Sequence, residues 1–101
     1  MGIQTMTFSL RGMTDRQAYH YVESLRLGIS EFDGLVRYAR TRRSIAGDWV
    51  VFFAWKDQRA IQEFRRSELY AKLALSPNVI DFRDHVESVV EAPFEELRVA
   101  A

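Results

Sequence analysis

The sequence predicts an α+β domain, one antiparallel sheet carrying both helices on the same face. Three observations point there. Two segments carry apolar residues at helical spacing. Extended segments flank and separate them in the order strand, helix, strand, strand, helix, strand. One of those strands is apolar on both of its sides.

The first strand runs from Ile3 to Arg11. Met6, Phe8 and Leu10 alternate with Thr5, Thr7 and Ser9, so one face is apolar and the other polar. Gly12 ends it. Thr14 then starts a helix, because its hydroxyl can accept from free backbone donors and Gln17 completes a capping box. Ala18, Val22, Leu25 and Ile29 follow at spacings of four, three and four, with Tyr21 beside this stripe and Gly28 weakening the helix end. Ser30 to Gly34 reads as a turn. Leu35 to Arg43 is a second strand, in which Val36 and Tyr38 alternate with Leu35, Arg37 and Ala39. Its basic end runs out into solvent, and Ser44 to Asp48, with Gly47, suits a hairpin.

Trp49 to Trp55 is the most informative segment. Trp49, Val51, Phe53 and Trp55 form one apolar row, and Val50, Phe52 and Ala54 form the other. A strand covered on one side alternates with polar residues, so this one asks for cover on both. Asp57 caps a second helix with the stripe Ala60, Ile61, Phe64, Ala71 and Leu75, flanked by Leu69 and Leu73 and stopped at Ser76-Pro77. Val79 to Ala92 is the last strand, with Ile80, Phe82 and Val86 on one face and Arg83, His85 and Glu87 on the other. Pro93 ends it, and residues 93–101 form a C-terminal tail. The result is a single domain over 1–101, a ferredoxin-like βαββαβ unit with an antiparallel sheet.

Composition bounds the function. Lys+Arg and Asp+Glu each number 14 in 101 residues, and this balance argues against nucleic acid as a partner. With no Cys, disulfides, zinc-thiolate sites and cysteine catalysis are excluded, and two separated His predict no metal site. No apolar run approaches a membrane span of about 20 residues, and no signal peptide is visible, so a cytoplasmic protein is expected. No Gly-rich phosphate loop and no Ser-His-Asp constellation is present.

The segment Gly47-Asp48-Trp49-Val50-Val51-Phe52-Phe53-Ala54-Trp55-Lys56-Asp57, followed by Ala60, Phe64 and Ser67, resembles the core of the antibiotic biosynthesis monooxygenase family. That resemblance implies a dimeric α/β barrel, with a second copy of the chain supplying cover for the sheet. The family includes cofactor-free oxygenases of aromatic polycycles and haem-degrading enzymes. The haem-degrading members use an Asn, a Trp and a His where this chain has Thr or Ser in the first strand, Phe64 and Ala74. Ala74 cannot ligate iron, so the resemblance implies the cofactor-free type, with no cofactor.

On that fold the expected function is a cofactor-independent monooxygenase of a small aromatic or polycyclic compound. The alternative is a non-catalytic homodimeric ligand-binding or stress-associated module. The expected substrate pocket is lined by Met6, Phe8, Trp55, Phe64 and Tyr70. His85 is the candidate general base, and Arg83, on the same strand face, the candidate holder of a developing enolate or phenolate oxygen. Each residue also fits a plain role: strand-end packing for Trp55, a core-edge ring with a wet hydroxyl for Tyr21, Tyr38 and Tyr70, a polar strand end for His85 and Arg83. His20 reads as an exposed helix residue. Arg37, Arg40, Arg42 and Arg43 form a basic cluster, suited to an acidic ligand, to partner carboxylates, or simply to solvent.

Overall fold

The computed structural model describes residues 1–42 and 47–88. The elements are β1 (Gly2–Leu10), α1 (Asp15–Ile29), β2 (Leu35–Arg42), β3 (Trp49–Trp55), α2 (Gln58–Arg65), α3 (Glu68–Leu75) and β4 (Val79–Ser88). The strands pair in the order β2-β3-β1-β4, all antiparallel. This is the ferredoxin-like arrangement, with the second helical segment divided in two. The expected strand end at Arg43, the hairpin residues Ser44 to Ala46, and everything beyond Ser88 lie outside the described residues.

Register settles which side chains share a face. Gln4 lies opposite Phe53, Met6 opposite Val51 and Phe8 opposite Trp49. These residues, with Trp55, meet Ala18, Val22, Leu25 and Ile29 of α1, Ala60, Ile61 and Phe64 of α2, and Leu73 of α3 in a single core cluster. The α1 stripe is buried as its spacing predicts, and both halves of the capping box form: Thr14 Oγ1 accepts from the Gln17 amide, and Gln17 Oε1 accepts from the Thr14 amide. The opposite sheet face carries no helix among the described residues. Of its central row, Val50 is buried, Ala54 half-buried and Phe52 41% exposed.

Three expectations are corrected. First, the stripe from Ala60 to Leu75 is not one helix. The backbone breaks at Arg66–Ser67, where Ser67 Oγ donates to the Phe64 carbonyl and accepts from the Tyr70 amide, capping α3 afresh. The break changes the phase, so Leu73 is buried while Ala71 and Leu75 are exposed. Second, β2 does not alternate from its start. It carries an extra residue between Leu35 and Arg37 relative to β3, which turns Val36 outward and aligns Leu35 and Tyr38 with the core. Third, β4 carries an extra residue between Ile80 and Arg83, where Asp81 adopts φ +54°. That bulge pairs Ile80 with Ser9 on the open face, while Phe82 and Val86 pack against the core.

Candidate functional site

One polar residue lies in the apolar row of β1. Gln4 is fully buried. Its Oε1 accepts from Trp55 Nε1 at 3.0 Å, and its Nε2 donates to the two carboxylate oxygens of Asp84 at 3.1 and 3.2 Å. Asp84 Oδ2 also accepts from Arg65 Nε at 3.0 Å and from the Tyr70 hydroxyl at 2.6 Å. The Asp84 side chain is only 9% exposed. A buried carboxylate needs such partners, because desolvation penalises its charge. Burial pushes the Asp84 carboxyl up, but the Arg65, Tyr70 and Gln4 hydrogen bonds outweigh it and hold the group below its ordinary range. Burial, and then the bond to Asp84, push the Tyr70 hydroxyl up to about 12. This chain of bonds crosses from β3 through β1 to β4 and on to α2 and α3. It locks the helices to the sheet.

Beside it, α1 and α3 leave a groove. The inner compartment, about 200 Å³, is lined by Leu25, Leu69 and Leu73 with Tyr21, Ser24 and Lys72. Adjoining it, an outer compartment of about 410 Å³ lies between α1 and the loops at Gly12–Met13 and Asn78, lined also by Gln17, His20, Tyr21 and Ser24 and by no residue of α3. Gln17, His20, Tyr21 and Ser24 recur at three- and four-residue spacing, so they form a second stripe on α1 beside the core stripe. Gly28 continues that stripe at the inner end. A Cβ there would meet Leu69 Cδ2 at 2.9 Å, so the missing side chain lets α3 seat closely on α1. Burial raises the Tyr21 hydroxyl above its ordinary value, opposed in part by the Ser76 hydroxyl.

The expected site residues fall into two sets on opposite sheet faces. Met6, Phe8, Trp55 and Phe64 are buried on the helix face, where they fill the interior: Trp55 stacks on Phe64 at 5.3 Å between ring centroids, and Tyr70 meets Phe64 edge-on at 5.4 Å. Tyr70 is half-buried at their margin. Arg83 and His85 pair with Thr7 and Thr5 on the open face. His85 is 70% exposed, with Nε2 3.4 Å from Glu87 Oε1. The two sets do not converge within one chain. The basic cluster is largely partnered: Arg40 Nε lies 3.1 Å from Glu23 and its guanidinium 4.6 Å over the Tyr19 ring, while Arg42 pairs with Asp15 at 3.0 Å. Arg43 lies outside the described residues.

Gln4, Arg65 and Asp84 were not among the candidates from sequence. Their one legible signal was Gln4, a polar side chain in the Met6–Phe8–Leu10 row. Among the described residues, no group of three His, Asp or Glu is placed to hold a metal ion, and no helix is long and apolar enough to cross a membrane.

The four-stranded antiparallel sheet with its helices on one face defines a ferredoxin-like α+β domain. Several solved structures share this fold. The cofactor-independent oxygenase SnoaB from Streptomyces nogalater matches with a TM-score of 0.73 at 14% identity, over 90% of this chain and 94% of its own. A protein described as an antibiotic biosynthesis monooxygenase matches at 0.72 and 13% identity, over 90% of this chain and 100% of its own. Rv0793 from Mycobacterium tuberculosis matches at 0.69 and 16% identity, over 91% and 98%. No family model and no curated protein matches the sequence. The likeness is one of fold.

Proposed function

We propose that this chain is a cytoplasmic, homodimeric, cofactor-independent monooxygenase of a small aromatic or polycyclic compound. The observation that carries the reading is the α1–α3 groove, whose apolar floor of Leu25, Leu69 and Leu73 ends at the Lys72 side chain. A flat ring fits the floor, and the ammonium can hold a phenolate or enolate oxygen. Lys72 Nζ lies 3.3 Å from Glu68 Oε1, an exposed pair that a ligand anion can displace at small cost.

The substrate itself can supply every electron. A ring system with an enolisable CH2 loses its enol proton to water at the groove mouth, and Lys72 stabilises the resulting anion. The electron-rich carbon bonds to one oxygen atom of O2. The O–O bond then breaks as the second C–H proton leaves, giving C=O and water. The sum, CH2 + O2 → C=O + H2O, balances without a further reductant. In this reading the two sheets of the homodimer cover the Phe52 row. His85 and Arg83 then lie at the interface, and Lys72 takes the oxyanion role.

The test is oxygen uptake with anthrone, whose enol ionises and whose CH2 can become the carbonyl of anthraquinone. We expect one O2 consumed per anthraquinone formed, faster than in buffer, with the acceleration reduced in Lys72→Met. Binding of anthrone with no acceleration would overturn catalysis and support the ligand-binding module.

A further inference from the structure

The open sheet face carries a pattern that strand register brings out. Three rows cross it from β2 through β3 and β1 to β4. The first reads Arg37, Ala54, Ile3, Glu87. The second reads Ala39, Phe52, Thr5, His85, and the third Thr41, Val50, Thr7, Arg83. Small and large side chains alternate along the second row. Opposite charges stand at the two ends of the first. Arg40 and Arg42 turn to the helix face, where Glu23 and Asp15 pair with them. Arg37 is exposed and has no ion pair among the described residues. Glu87 is 71% exposed and meets only the His85 ring, at 3.4 Å, in an ion-pair contact among the described residues.

Two copies of this face, packed with their strands aligned to within about 30°, can be related by a two-fold axis in two ways. With the axis across the strands, each strand covers its own copy. Phe52 then faces the apolar row of β3 in the partner, and Thr5 and Thr7 face threonines. Large side chains meet large and small meet small. With the axis along the strands, β3 covers β1 of the partner and β2 covers β4. Phe52 then faces the partner's Thr5, and Ala39 faces the partner's His85. Ala54 faces the partner's Ile3, and Thr41 faces the partner's Arg83. A large side chain lies opposite a small one each time, which lets the two layers interdigitate without gaps.

Resting on the homodimeric reading of the open face, we infer that the second copy docks about this axis, and that Arg37 pairs with Glu87 of the partner subunit on both flanks of the interface. The two-fold repeats the pair, so each chain gives one cation and one carboxylate. Both side chains are long enough to span the offset that a tilt of about 30° brings to the sheet edges. At the rim, an opposite pair adds little affinity, but like charges placed there are strongly opposed, so the pairs fix orientation and choice of partner.

The experiment is sedimentation equilibrium of intact chains carrying Arg37→Glu or Glu87→Arg. Both positions are exposed, and unchanged far-UV circular dichroism checks that the variants fold. Alone, each variant sets like charges against each other on both flanks, so its dimer dissociation constant should rise roughly tenfold or more. Mixed one to one, the two variants restore an opposite pair on both flanks. The mixture should therefore dimerise about as tightly as the native chain. An axis across the strands would instead set Glu87 against the partner's Arg83, and Arg37→Glu would then leave the dimer unchanged. That result, or a mixture no tighter than the single variants, overturns the pairing and leaves the homodimer standing. A native chain that sediments near 11.8 kDa overturns both, while oxygen uptake with anthrone tests the groove separately.

Discussion

The Tyr70 hydroxyl donates to Asp84 Oδ2 across 2.6 Å, joining the first turn of α3 to β4. The same oxygen takes the Arg65 guanidinium from the end of α2. Asp84 thus holds both sides of the break at Ser67 against the sheet. Because Gln4 Nε2 reaches the same carboxylate, the core strand β1 is tied to the break as well.

Asp84→Ala should destabilise the fold by about 3 kcal/mol, since it leaves Gln4, Tyr70 and Arg65 donors unpaired at a largely buried position. Urea denaturation measures it, as a lower midpoint at unchanged slope. A shift no larger than a surface substitution gives would mean the network contributes nothing net.

Acid stability follows from the same group. The folded Asp84 carboxyl titrates below its ordinary range. Its contribution is therefore complete above the unfolded value of about 4 and is lost as pH falls through the folded one. The melting temperature of the native chain should fall as pH drops below about 4. Asp84→Asn should show a flatter profile over that window. Parallel profiles would refute the assignment.

Tyr38 carries the opposite lesson. Its hydroxyl is buried with no hydrogen-bond partner among the described residues, and burial pushes it up to about 12. Tyr38→Phe should be neutral or stabilising by up to about 1 kcal/mol, because it removes a desolvated hydroxyl that no described residue bonds. A raised phenol contributes stability fully below its unfolded value and loses it as pH rises toward the folded one. The native chain should therefore weaken between about pH 10 and pH 12, and Tyr38→Phe less so. Thermal melts across that alkaline range decide it.

Gly34→Ala should cost about 1–3 kcal/mol, the range for overpacking a filled site. The added Cβ would fall on Ala60 Cβ, inside van der Waals contact, and neither atom belongs to a flexible side chain that can swing away. Gly28→Ala meets only the tip of Leu69, so its cost should be smaller and its effect should appear in the groove between α1 and α3. Melting temperatures of the two variants, measured together, test the contrast.

The proposed homodimer makes Phe52 its sensitive point. At 41% exposure it is the large apolar side chain standing out from the middle of the open face. Phe52→Asp should convert the dimer to a soluble monomer in sedimentation equilibrium at micromolar concentration. A native chain that sediments as a single stable species near 11.8 kDa would refute the dimer itself.

The elements were legible because their signals are local. The Thr14–Gln17 box, the Ala18–Ile29 stripe and the two-sided Trp49–Trp55 run each act within a few residues, so spacing alone reveals them. The helix break at Ser67 was hidden, since an unbroken 3.6-residue phase through Phe64 and Ala71 looked equally good. Only packing selects Leu73 over Leu75. The bulges at Val36 and Asp81 were hidden for a like reason: an extra residue shows itself only against the strand it pairs with. The polar network illustrates the limit best. Gln4 and Asp84 stand 80 residues apart, and neither is meaningful without the other. Their pairing depends on β1 lying between β3 and β4, a long-range register that no local pattern encodes. The groove likewise needed two helices. The sequence could offer His20 and Tyr21 as residues off the core stripe of α1, but it took α3, seated against Gly28, to turn that second stripe into a wall.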